Sequence, residues 1–575
     1  MSRSGPRSIQ RVALVAVILA IFAWPASASP SGAVRGRNGM VASQHELASQ
    51  IGVSILKQGG NAVDAAIAVG IALAVVYPEA GNIGGGGFML IRDAKGEFYS
   101  IDYREMAPAA ATRDIFVDAN GDLINGEGSS TVGYRASGVP GTLAGFELAY
   151  KRFGSGRISW AELVRPARIL AERGFVLSDR LARLFISYAD SLGKYPESKR
   201  IFLNGGNYFS EGDVLRQPDL ARTLSRVERF GAREFYTGQT ARLIATDMAR
   251  NGGLITLDDL RKYTAKERRP ILGTYRGAQI VSMPPPSSGG VALIEMLNIL
   301  EAYDLRVLKY NSAARYHLVA EAMRRAFADR AEFLGDPDFA DVPAAGLIEK
   351  AYAETRRATI DPARASDSLK IGAGRPAAAE GNDTTHYSVI DKDGMTVANT
   401  YTINDLYGSQ VTIKGTGVLM NDEMDDFAAR PGRPNMFGLI QGERNSVQPG
   451  KRPLSSMTPA IVLRKDGTTW FTVGARGGPR IISAVLQTIL NVVDHDMDIQ
   501  AAIDSPRIHH QWLPDILTYE PYGFSPDTLT VLAALGHKLP ERPGYVASAT
   551  GIMVDLKGVR IGAIDSRSDG AAIGY

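Results

Sequence analysis

The sequence predicts a layered domain in which sheets and helices share one core. Three observations carry that expectation. Runs of β-formers broken by turn signals recur along the chain, as at residues 88–92, 97–102 and 395–402. Apolar runs of helical length alternate with them, the strongest at residues 62–76. No Pro/Ser linker and no repeat at a solenoid period divides the chain.

The elements follow in order. Residues 1–28 read as a secretory signal: Arg3, Arg7 and Arg11 make the basic start, residues 12–24 the apolar core, and Ala26-Ser27-Ala28 the cleavage site. Thirteen apolar residues are too few to span a bilayer, and the chain has no Cys for lipid attachment. Export to the periplasm or the medium is therefore expected. Without its three Arg the mature chain carries 64 − 3 = 61 basic residues against 61 acidic ones, so the net charge falls from +3 to 0. Neutrality gives no reason to expect nucleic acid or an anionic membrane as a partner. An exported chain without Cys has neither a disulfide framework nor a thiol nucleophile.

Residues 62–76 are Ala-rich, contain Asp64 and stop before Pro78, which reads as a buried helix and not a membrane span. Residues 88–92 and 97–102 form a hairpin. Helices are expected at 161–173, 241–251, 291–303 and 313–334, a strand at 470–475 and a helix at 481–493. The softest stretch, residues 366–380, is rich in Ala, Gly, Arg and Pro and lies just before Thr384.

Thr384 sits in Asn382-Asp383-Thr384-Thr385-His386-Tyr387-Ser388, at the start of a strand-like run. A hydroxyl there can attack the preceding carbonyl, shift the acyl group from nitrogen to oxygen and let water complete the cut. The product is an N-terminal Thr with a hydroxyl nucleophile and an α-amine titrating at about 7.7–8.0. Such a residue brings its own general base. An internal Thr-Thr pair is equally ordinary strand filler, so the downstream residues must decide. If the next hairpin has a three-residue loop at 392–394, Asp391 faces Met395 and Thr384 faces Thr402. Thr402 and Asn404 then flank Thr384 while Ile403 points away. A two-residue loop would slip the register by one.

Further motifs occur in order: 400–404 (Thr-Tyr-Thr-Ile-Asn), 421–427 (Asn-Asp-Glu-Met-Asp-Asp-Phe), 451–459 (Lys-Arg-Pro-Leu-Ser-Ser-Met-Thr-Pro) and 477–482 (Gly-Gly-Pro-Arg-Ile-Ile). Upstream stand 59–66 (Gly-Gly-Asn-Ala-Val-Asp-Ala-Ala), 84–89 (Gly-Gly-Gly-Gly-Phe-Met) and 103–108 (Tyr-Arg-Glu-Met-Ala-Pro). Together they resemble the γ-glutamyltransferase family of N-terminal-nucleophile hydrolases, over essentially the whole mature chain. The resemblance implies an α+β fold, a four-layer αββα sandwich. It also implies self-cleavage between Asp383 and Thr384 into a large subunit (29–383) and a small catalytic one (384–575) that stay together as a heterodimer. The implied activity is that of a glutathione hydrolase and γ-glutamyl acyltransferase without a cofactor. Its donors are glutathione and other γ-glutamyl compounds, and its acceptors are water, amino acids and peptides.

The resemblance also assigns roles. Thr384 is the nucleophile and Thr402 orients it. Gly477 and Gly478, joining a strand to a helix ahead of Pro479, are by themselves a tight turn at the helix's positive end; in the family the pair is the oxyanion hole. Arg104 matches the position that binds the substrate α-carboxylate through its planar fork, assisted by Ser455 and Ser456. Asn404, Glu423 and Asp426 match the positions that hold the α-ammonium. Glu423 stands where many bacterial relatives have Gln, and a second carboxyl strengthens that pull while risking protonation of one acid. Arg476 replaces a Pro of many relatives. Residues 431–442 resemble a lid loop, with Phe437 where relatives offer a Tyr to the pocket Asn, so packing alone is expected to hold the lid.

Two other readings compete: a glutaryl or cephalosporin-type acylase with the same nucleophile, and an uncleaved, inactive binding protein of the same fold. His509-His510 lacks further ligands at metal spacing, so no metal site is expected. Gly84 to Gly87 lacks the dinucleotide spacing and is expected to serve close backbone packing.

Overall fold

Two antiparallel seven-stranded sheets face each other in the computed structural model, which describes residues 32–376 and 386–575. The first runs Val34–Gly36, Arg560–Ile564, Ser548–Val554, Thr469–Arg476, Ala460–Leu463, Ala278–Ser282, Ile271–Tyr275. The second runs Ala571–Gly574, Met40–Ser43, Tyr387–Ile390, Thr396–Thr402, Gly86–Arg92, Phe98–Asp102, Lys266–Arg268. Each sheet thus mixes strands from before and after the stretch that holds Thr384.

Alternation along the strands explains the layering. Phe88, Leu90 and Ala398 of one sheet meet Val281, Ile461 and Leu463 of the other, closing the space between the sheets. Opposite faces take helices: Glu46–Lys57, Ala62–Val76 and Thr142–Phe153 cover the second sheet. The first is covered by Gly289–Leu300 and Arg480–His495, with Ala313–Phe333 packed on the former. This is the α+β four-layer αββα sandwich that the motifs implied.

The helix Ala62–Val76 has the predicted bounds, and every residue of it is buried. Its one acid is a cap: Asn61 accepts from the N–H groups of Val63 and Asp64, while the Asp64 carboxylate accepts from the Asn61 N–H at 3.0 Å. The other elements agree within a few residues: Gly86–Arg92 with Phe98–Asp102, Trp160–Arg173, Gln239–Arg250, Thr469–Arg476 and Arg480–His495. Among the described residues no helix is long and apolar enough to cross a membrane. The expected signal sequence, residues 1–28, and the bond between Asp383 and Thr384 lie outside the described residues.

The hairpin after Thr384 has the three-residue loop. Tyr387 pairs with Asn399, Ile390 with Thr396, and the Asp391 N–H reaches the Met395 carbonyl at 3.1 Å. The Asp391 carboxylate organises the turn by accepting from the N–H groups of Asp393 and Met395. Gly84 to Gly87 serve the next strand as expected. A Cβ on Gly85 would stand 2.0 Å from the Thr402 carbonyl oxygen, and one on Gly87 would stand 2.5 Å from that of Thr400. Only glycine admits this approach.

Candidate active site

The strand Thr396–Thr402 delivers Thr402 to the rim of a cleft of about 1020 Å³. Thr402 Oγ1 accepts from the Asn404 N–H at 2.8 Å, and its carbonyl accepts from Asn82 at 2.7 Å. Asn404 reaches the cleft by a different route from the expected strand alternation. The strand ends at Thr402, and Asn404 takes a left-handed backbone (φ 76°) that swings its amide to the Asp422 carbonyl at 3.2 Å. Ile403 is fully buried, as expected.

Glu423 to Asp426 form one short 3₁₀ turn. Asn421 pins it, donating to the Gly84 and Gly138 carbonyls and accepting from the Glu423 N–H. Glu423 and Asp426 line the cleft, and both bind the guanidinium of Arg104, one on each terminal nitrogen. Arg104 is fully buried, so this acid pair stands between it and the open cleft. Glu105 lies 3.6 Å from the same guanidinium, so Arg104 faces three buried carboxyls, with Arg330 acting on Asp426 and Arg452 on Glu105 from farther off. Burial therefore pushes the Glu105 carboxyl up to about 8 against the pull of Arg104. Glu423 is held well above the usual range by burial, with Glu105 and Asp426 adding to the effect. One oxygen of Glu423 has no hydrogen-bond partner among the described residues.

Ser455 and Ser456 border the same cleft. The Ser455 N–H donates to the Pro286 carbonyl and the Ser455 carbonyl accepts from Ser288, fixing the segment beside the helix Gly289–Leu300. Arg330, from the helix Ala313–Phe333, donates to the Ser456 hydroxyl at 3.2 Å. Sequence reasoning missed this second buried guanidinium; its only signal was a charge inside a helix buried on nearly all sides.

Gly477 and Gly478 take φ values of 133° and 57° between the strand Thr469–Arg476 and the helix Arg480–His495. Pro479 occupies the N-cap, one residue earlier than expected. Neither glycine N–H donates to an acceptor among the described residues, so both stand free at the helix's positive end. A Cβ on Gly477 would meet Ala547 at 3.0 Å and one on Gly478 the Phe437 ring at 2.9 Å.

The expectation that packing alone holds the lid is corrected. Its Met436 N–H donates to the Asp425 carboxylate at 3.0 Å, and Gln511 donates to the Phe437 carbonyl at 3.0 Å. Asn404 also reaches the Met436 sulfur at 3.8 Å, a weak contact. Ser130 holds the other Asp425 oxygen at 2.6 Å, and burial brings that carboxyl up to about 6.

His386 is buried, and desolvation lowers it to about 3, so it stays neutral between Ser388 and Thr400. His509 and His510 diverge, the first to Ser483 and Gln511, the second to Asp515. Among the described residues, ligand atoms of His317, Glu321 and His537 lie within 4.8 Å of one another. The Glu321 carboxylate already binds Arg324 and Arg325, and a further cation there is opposed by both.

Thr402, Asn404, Glu423, Asp426, Ser455, Ser456, Gly477 and Gly478 are thus brought together, with Arg104 behind the acid pair. Asp383 and Thr384 lie outside the described residues. The family description gamma-glutamyltranspeptidase matches residues 48–575. This chain belongs to the γ-glutamyltranspeptidase family. The glutathione hydrolase proenzyme of Escherichia coli (strain K12) is 47% identical over 99% of this chain and 100% of its own length. A cephalosporin acylase from Bacillus halodurans superposes with a TM-score of 0.85 at 26% identity, covering 100% of this chain and 99% of that one. A γ-glutamyltranspeptidase chain from Helicobacter pylori gives 0.56 at 47% identity, covering 58% of this chain and 94% of its own.

Proposed function

We propose that this γ-glutamyltranspeptidase family member is an exported, self-processing enzyme that hydrolyses glutathione and passes γ-glutamyl groups to amino acids or peptides. Cleavage between Asp383 and Thr384 yields large and small subunits that remain a heterodimer in the periplasm or outside the cell. The observation that carries this reading is a free pair of backbone donors and a buried acid pair in one cleft. The donors suit an oxyanion; the acids suit an α-ammonium.

In the first step Thr384 Oγ attacks the γ-amide carbon, and its proton passes to the Thr384 α-amine, with Thr402 orienting the hydroxyl. The N–H groups of Gly477 and Gly478 hold the oxyanion, each worth about 3 kcal/mol in the transition state. The C–N bond then breaks, the ammonium returns its proton to the leaving amine, and a γ-glutamyl ester remains. Water or an acceptor amine attacks that ester, and Oγ leaves with a proton.

Substrate recognition proceeds by exchange. The arriving α-ammonium takes over Glu423, Asp426 and Asn404, which frees the Arg104 fork for the α-carboxylate beside Ser455 and Ser456. An acylase for glutaryl side chains shares the nucleophile and the fold but presents no ammonium to these acids. Intact-mass analysis tests the processing: two chains, the smaller starting at Thr384, with Thr384→Ala giving one chain and no turnover. An enzyme preferring glutaryl over γ-glutamyl anilides, or an active single chain, overturns the reading.

A further inference from the structure

The cleft continues past the glycine turn, away from the ammonium pocket, toward Arg476, Tyr545, Ser548 and residues 566–569. Charges at this end are mostly answered. Arg567 binds Asp565 and Glu520, and Asp569 binds Arg180. Arg476 is different. It closes the strand Thr469–Arg476 immediately before Gly477, half-buried, and its side chain has neither an ion pair nor a hydrogen bond among the described residues. Its guanidinium lies 5.4 Å from the Tyr77 ring centre, and its buried Nε lacks an acceptor.

Strand alternation explains its aim. Phe471, Val473 and Ala475 enter the helix-side core, so Thr472, Gly474 and Arg476 face the other sheet and the cleft. Directly across the ladder from Arg476 is Ser548, on the same face. Ser548 is only 5% exposed, lines the cleft, and its hydroxyl has no partner among the described residues. Two adjacent polar groups on one strand pair are therefore left unanswered: a planar cation and a hydroxyl donor. Both suit one carboxylate.

We infer that Arg476 and Ser548 form a carboxylate subsite for the leaving group and the acceptor, selecting peptides and amino acids that keep a free carboxylate over amides and neutral amines. The inference rests on the reading of this cleft as a γ-glutamyl-transfer site. In glutathione the C-terminal carboxylate leaves with the amine, so the subsite acts on donor cleavage. An incoming amino acid or dipeptide presents the same group in the second half-reaction.

The test compares two chromogenic donors on the processed enzyme, γ-glutamyl-4-nitroanilide and its 3-carboxy derivative. Arg476→Gln is expected to lower the carboxylated-to-plain ratio of kcat/KM about tenfold, as befits a lost charge-assisted hydrogen bond. Ser548→Ala lowers it about threefold, and Arg476→Lys restores part of it because the charge returns without the fork. Transfer to glycylglycine against glycylglycinamide shifts in the same sense. A ratio that stays at the wild-type value in Arg476→Gln while both donors slow equally overturns the subsite, leaving Arg476 a support of the turn. A wild-type enzyme inert on both anilides removes the γ-glutamyl reading first, and the subsite with it.

Discussion

The two ends of the cleft handle charge in opposite ways. At the end proposed to take the ammonium, Arg104, Glu423 and Asp426 are buried and answer one another. At the far end Arg476 is half-buried and unanswered. The difference is one of solvent. A buried charge must be compensated even while the site is empty, so the proposed recognition at that end works by swapping partners. A cation that water still reaches can wait unpaired at small cost. The first arrangement enforces a strict requirement; the second is readily retuned.

Substitutions can break or sharpen that contrast. The largest effect belongs to Asp426→Ala, which removes one of the two acids on Arg104 and an acceptor proposed for the donor's ammonium: kcat/KM on a γ-glutamyl anilide should fall a hundredfold or more. Denaturant unfolding should show a loss well below the roughly 3–5 kcal/mol of an uncompensated buried charge, because Glu423 and Glu105 still face Arg104. A loss of the full ~3–5 kcal/mol expected for an unpaired buried charge would show that Asp426 alone compensates Arg104.

Glu423→Gln comes next. It keeps the shape and removes one competing carboxyl, so KM for the donor should rise about tenfold while Arg104 stays paired through Asp426. A KM equal to that of the wild type would assign ammonium binding to Asp426 and Asn404 alone.

Asp425→Asn probes the link between the ammonium end and the lid. The folded carboxyl lies near 6, above its ordinary 3.8. Its contribution to stability is full below about 4 and is lost as pH rises through 6. The neutral amide should therefore raise the thermal midpoint at pH 7, with the gain fading by pH 4 and bounded by about 3 kcal/mol. A gain independent of pH would contradict this.

Phe437→Tyr should be the mildest. Because Asp425 and Gln511 already tether the lid, one more hydroxyl should change the transfer-to-hydrolysis ratio by less than about threefold, the worth of a modest hydrogen bond. A larger change would make the missing Tyr the dominant latch.

Local signals made much of this legible. The helix Ala62–Val76 announced itself by composition and its Asn61–Asp64 cap, and the Lys392 to Gly394 turn fixed a register that the structure keeps. The glycine turn before Pro479 was visible as a strand-to-helix junction, one residue adrift. What stayed hidden depends on residues far apart in sequence. Arg104 meets Glu423 across 319 positions, and Arg330 reaches Ser456 across 126. No periodicity encodes such meetings. Asn404 was placed in the cleft through the wrong geometry, because a left-handed residue ends the strand where alternation was extrapolated.

The mixed order of the sheets bears on what a severed backbone can do. Five ladders join strands from either side of the proposed cleavage point: Val34–Gly36 with Arg560–Ile564, Ala278–Ser282 with Ala460–Leu463, Met40–Ser43 with both Ala571–Gly574 and Tyr387–Ile390, and Gly86–Arg92 with Thr396–Thr402. With no Cys to tie the pieces, nicking leaves them interlocked like the fingers of two hands. Once melted apart, they become separate molecules that must find each other, so recovery of the native pair should slow on dilution where the uncut precursor's does not.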